Sequence, residues 1–124
     1  MKRSRVLFVL VLIAAAIVPV STRSQGLRIT IAPKISFEPA AVRVAASVEP
    51  DANNRRLVVE ADSGVHFTAS ELPLDGAQAA RTTYVWLKNL PAGQYEVRVR
   101  VEQGHGPDLV ESRGFAVMTA ASGR

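Results

Sequence analysis

The chain has 124 residues, no cysteine, and 15 Lys plus Arg against 11 Asp plus Glu. That length bounds it to one domain, and the missing thiols exclude a disulfide framework, a thiolate metal site, a cysteine nucleophile and a lipid-modified cysteine. The basic excess is confined to the start: residues 1–24 hold Lys2, Arg3, Arg5 and Arg23 and no acid, which leaves eleven basic against eleven acidic residues in the rest.

Lys2, Arg3 and Arg5 precede an unbroken apolar run, Val6 to Val18, and a small-residue exit that includes Thr22 and Ser24. A charged start, a short apolar core and small residues before the cut predict a secretory signal peptide over 1–24. The alternative is an uncleaved anchor, for which the run is short, since a span needs roughly 20 residues. The expected chain is exported to the periplasm, the cell surface or the medium, and touches a membrane only if this segment stays attached.

From Leu27 onward the apolar residues keep a period of two, the mark of half-buried strands. Leu27, Ile29 and Ile31 alternate with Arg28 and Thr30. A short run, Ile35 to Phe37, lies between Pro33 and Pro39. Val42, Val44, Ala46 and Val48 form the next strand, then Leu57, Val59 and Ala61 after the turn-rich break Glu49 to Asn54. Ser63-Gly64 marks a tight hairpin, followed by Val65, Phe67 and Ala69, with His66 expected to face outward. Leu72 to Ala80, with Pro73 and Asp75-Gly76, reads as a long loop, with a short edge strand within it as the alternative. Tyr84 to Leu90, Tyr95 to Val101 and a run through Phe115 and Val117 complete the pattern. The expected fold is all-β: a single seven-stranded antiparallel sandwich over 25–119, with a frayed tail over 120–124.

The stretch Leu90 to Val101 explains one connection. Pro91 fixes φ, Gly93 permits a turn, and Tyr95 then starts a strand with its ring inward and its hydroxyl free to return to the connecting backbone. On Leu90, Pro91, Gly93, Tyr95, Val97 and Val99, the chain resembles immunoglobulin-like and fibronectin type III-like domains, in which this arrangement is a tyrosine corner. The segment is also similar to the carboxypeptidase regulatory-like, transthyretin-like domains. The match is specific over about 20 residues, and it implies a seven-stranded sandwich without a catalytic residue.

Chemistry is sparse. His66 and His105 are too few for a metal site, which needs three or four convergent ligands. Glu60 and Asp62 share a strand face beside a turn, where carboxylates are usually solvated. Ser63, Ser70 and Ser112 lack a nucleophile elbow. Asp51, Asn53 and Asn54 lack the spacing and the bidentate acid of a calcium loop. No catalytic residue, cofactor site or metal site is expected, and net neutrality after residue 24 argues against nucleic acid. One surface stands out. Counting back from Leu90 in the fibronectin-like register places Val85 and Leu87 inward, so Tyr84, Trp86 and Lys88 share an exposed outer face unless the register is reversed or the Leu72 to Ala80 loop covers the rings. Two aromatics beside a cation make a contact surface for a protein or a glycan. The expected function is a non-catalytic exported interaction module, with a structural accessory domain, or less favourably a small hydrolase or ligand carrier, as alternatives.

Overall fold

Alternation becomes two facing sheets in a computed structural model that describes residues 26–120. The signal peptide expected over 1–24 lies outside these residues, as does nearly all of the tail expected over 120–124. The strands are β1 (Leu27–Ala32), β2 (Ile35–Phe37), β3 (Ala40–Val48), β4 (Asn54–Asp62), β5 (Phe67–Pro73), β6 (Thr82–Leu90), β7 (Gly93–Gln103) and β8 (Leu109–Met118). The only helical element among the described residues is a short 3-10 turn at Gly76–Gln78, and no helix there is long and apolar enough to cross a membrane.

A three-stranded sheet runs β1-β3-β6 and a five-stranded sheet runs β2-β8-β7-β4-β5. The all-β class holds, but eight strands replace the expected seven, and they are not all antiparallel. The extra strand arises where the chain leaves one sheet for the other. Pro33 has no N–H to continue the β1–β3 ladder. The chain therefore breaks there and resumes as β2, parallel to β8, with Ile35 opposite Ala116 and Phe37 opposite Met118.

The inward faces meet in one apolar cluster. Ile29, Val44, Leu57, Leu87 and Val99 are all at most 3 % exposed. In β1, β3 and β7 every second residue enters it, as the pleat requires. The exception in β6 is instructive. Val85, Leu87 and Leu90 all point inward, although the last two are three apart. A bulge absorbs the extra residue: Val42 pairs with Leu87 while Ala40 pairs with Leu90. Asn89 takes the left-handed φ of 57° there, a conformation Asn tolerates better than most residues.

The β5 face departs from expectation. Asp62 pairs with Phe67, which turns Val65 and Phe67 out, at 90 % and 57 % exposed. His66 instead approaches the Tyr95 ring edge-on, with centroids 6.3 Å apart. As an edge strand, β5 is anchored to the core from its opposite face through Leu72, so its first two apolar residues are left outside. Leu72 and Pro73 belong to this strand rather than to a loop.

Candidate functional site

Strand register places the outer face of the three-stranded sheet. Arg28, Ser47 and Thr82 form one row, Thr30, Ala45 and Tyr84 the next, and Ala32, Arg43 and Trp86 the third. Lys88 follows Trp86 on the same side and is exposed. Tyr84 and Trp86 are 56 % and 54 % exposed. The alanines at 32 and 45 leave the two rings standing above a low floor. The guanidinium of Arg43 lies over the Tyr84 ring, 4.8 Å from its centroid. That stacking holds the Arg43 plane on the sheet while leaving its N–H edge open, a geometry a lysine could not supply.

The electrostatics of the two sheets differ. The three strands of the smaller sheet carry Arg28, Arg43 and Lys88 and no acidic residue. On the larger sheet acids and bases are interleaved: Arg56 pairs with Glu71 at 3.2 Å and with Glu102 at 3.4 Å, and Arg100 pairs with Glu102 at 3.1 Å. Among the described residues no carboxylate comes within ion-pair distance of Arg28, Arg43 or Lys88. The neutral balance beyond residue 24 therefore hides a segregation, with Arg28, Arg43 and Lys88 on an acid-free sheet beside the aromatic pair.

The corner residues sit at one end of the sandwich. Leu90 is fully buried and Tyr95 is 3 % exposed. The Tyr95 hydroxyl donates to the Pro91 carbonyl oxygen at 2.7 Å, and its ring stacks on Phe115 with centroids 4.9 Å apart. A Cβ on Gly93 would come within 3.1 Å of the Ser63 Cβ, so a larger residue there would press on the neighbouring turn. Burial pushes the Tyr95 pKa up, and a hydrogen bond from the Ser63 side chain partly offsets it. An unfolded tyrosine ionises near pH 10. The folded value lies above that, so this contribution to stability is complete below pH 10 and is lost as pH rises through the folded value. Stability should therefore fall more steeply above pH 10 in the wild type than in Tyr95→Phe, measured by urea melts at several pH values. Equal slopes would contradict it.

The other polar candidates have structural roles. Asp62 Oδ1 accepts the Gly64 N–H at 2.8 Å and shapes the hairpin. Asp51 Oδ1 accepts the Asn53 N–H at 2.8 Å. Buried Asn54 donates to the Glu49 carbonyl and accepts from the Gln103 amide. One arrangement had no sequence signal. Glu111 and Arg113 lie on the inward face of β8, opposite Val99 and Val97. Glu111 is 1 % exposed, and its Oε2 accepts from Arg113 Nη2 at 3.0 Å. In sequence, two charges alternating with Val110, Ser112 and Gly114 look like an outward face.

No protein-family model matches the chain, and no curated protein matches it in sequence. Its shape is similar to that of a superoxide reductase (neelaredoxin) from Ignicoccus hospitalis, with a TM-score of 0.60 and 14 % identity over 75 % of this chain and 80 % of that one. A single-substitution variant of that protein gives a TM-score of 0.55 and 16 % identity over 77 % and 80 %. At such identity the likeness shows the fold. It corrects the assignment to immunoglobulin-like, fibronectin type III-like or transthyretin-like families: the turn around Tyr95 identifies a corner, not the family. It also overturns the expectation of a non-catalytic module, and with it the exclusion of enzymes, because the fold is one on which a reductase is built.

Reducing superoxide means moving an electron, so a redox metal has to be tested against the donors present. Among the described residues no group of three or more His, Cys, Asp or Glu could hold a metal ion, and the chain has no cysteine. His66 lies by the turn that follows Asp62, whereas His105 lies beyond Gln103, which pairs with Asn54. The length of β4 separates them, roughly 25 Å at the usual rise per residue. The described residues do not fit a redox metal.

Proposed function

We propose that, on the fold it shares with superoxide reductases, the chain binds an acidic saccharide on the outer face of its three-stranded sheet. The observation that carries this reading is the segregation of charge: exposed Tyr84 and Trp86 lie among cations on strands that contain no acid. Trp86 offers a flat apolar face for a sugar ring. Arg43, held on Tyr84, offers a two-pronged donor edge to a carboxylate, and Lys88 supplies a second positive charge at the bulge. A flat floor of Ala32 and Ala45 favours stacked rings over a peptide, whose side chains need pockets.

The full-length chain should therefore bind oligogalacturonate more tightly than the neutral oligosaccharide of the same length, and the preference should shrink with added salt. Trp86→Ala should cost about 2 kcal/mol of binding, roughly a thirtyfold rise in Kd. It should change folding stability by less than about 1 kcal/mol, as at other exposed positions. Calorimetric titration and denaturant melts read both. Equal affinity for the neutral sugar, or tighter binding of a polyglutamate peptide, would refute the acidic-saccharide reading.

A further inference from the structure

A second polar site lies around residues 26–30, at the start of β1, which among the described residues pairs only with β3. A cleft of about 810 Å³ there is lined by residues of β1, β3, β6 and β8 and the turns beside them. Arg28, Arg81 and Arg113 line it together with Glu49 and Glu111. Arg113 is committed to Glu111. Arg28 and Arg81 are exposed and, among the described residues, have no carboxylate within ion-pair distance.

Backbone pairing positions these two guanidinium arms. Arg28 lies opposite Ser47, and Ser47 lies opposite Thr82. Arg81 immediately precedes Thr82, and its carbonyl accepts the Val48 N–H at 2.8 Å. Between the two arginines the Ser47 and Thr82 hydroxyls bond each other at 3.1 Å, and both residues line the cleft. β1 and β6 are two strand spacings apart, about 10 Å. Arms of arginine length on both sides can close over the hydroxyl pair. Two uncommitted guanidinium groups flanking two reorientable hydroxyls supply the donors that an oxyanion accepts.

We infer that this cleft binds a small oxyanion, a carboxylate, phosphate or sulfate, over the Ser47–Thr82 hydroxyl pair and between Arg28 and Arg81. The site shares the outer sheet face with Arg43, Tyr84, Trp86 and Lys88, one row of residues away from Tyr84, but uses none of those four side chains.

The test titrates the full-length chain with inorganic phosphate, sulfate and citrate in separate arms at constant ionic strength, following amide shifts of Ser47 and Thr82 by NMR. At least one arm should saturate, and the strongest arm identifies the anion class. Arg28→Ala and Arg81→Ala should each raise its Kd at least fivefold, and the double variant should abolish saturation. Trp86→Ala should leave Kd unchanged, which separates failure of this site from failure of the saccharide face. A response that stays linear in every arm, or a Kd unaltered in both arginine variants, would overturn the inference. Thermal melts of the variants confirm that each remains folded.

Discussion

Tyr95→Ala should lower the free energy of unfolding by about 3–5 kcal/mol, the range for deleting a buried aromatic ring. The ring is 3 % exposed, and it stacks on Phe115 with an interplanar angle of 4°. It also stands where the chain crosses from β6 in one sheet to β7 in the other. Its removal opens a cavity between Phe115 and His66 and frees the Pro91 carbonyl from its 2.7 Å bond. Tyr95→Phe keeps the stacking and loses only that bond, so it should cost about 1 kcal/mol. Denaturant melts showing no loss for Tyr95→Ala would mean that the corner contributes nothing to folding.

Arg113→Ala should cost about 1–3 kcal/mol, below the scale for breaking a fully buried ion pair from one side, because the Arg113 side chain is 39 % exposed and screened by solvent. The reason is the partner rather than the arginine. Glu111 is almost fully buried on the core face, and without Nη2 at 3.0 Å its carboxylate loses a charged donor. Replacing both residues, as in Glu111→Leu with Arg113→Met, removes the burden of a buried charge and should be less damaging than Arg113→Ala alone. Chemical denaturation of the three proteins checks the order. A double variant less stable than Arg113→Ala would show that the pair is favourable beyond its mutual compensation.

These two residues also show where sequence reading stops. The alternation of Leu27, Ile29 and Ile31, or of Val97, Val99 and Val101, is legible because the pleat sends every second side chain to the core. Glu111 and Arg113 obey the same period, but as charges they mimic a solvated face, and only the position of β8 opposite β1 turns them inward. Sheet membership is equally hidden. Arg28, Arg43 and Lys88 are scattered over 60 residues of chain, and nothing local shows that β1, β3 and β6 gather them on one acid-free surface. Along the candidate face, counting from Leu90 placed Val85 and Leu87 inward, yet an unbroken strand would have put Leu87 and Leu90 on opposite faces. The bulge at Asn89 reconciles them. On β5 no bulge intervened, and the ladder with β4 set Phe67 outside and His66 toward Tyr95. The turn around Tyr95 was readable as a corner because its chemistry is local. The wider fold was not, since it depends on how β2 joins β8 in parallel and how the sheets divide the strands.

The most direct test of ligand recognition is residue-level mapping. The full-length chain, labelled with ¹⁵N, is titrated with oligogalacturonate at low ionic strength, and shift changes are followed together with the Trp86 indole signal. Saccharide binding on the three-stranded sheet predicts saturable shifts along Thr83 to Lys88 and around Arg43, including the indole N–H, with β4 and β7 unmoved. Shifts centred on the outer face of β4 and β7, or an indole signal that never moves, would contradict it.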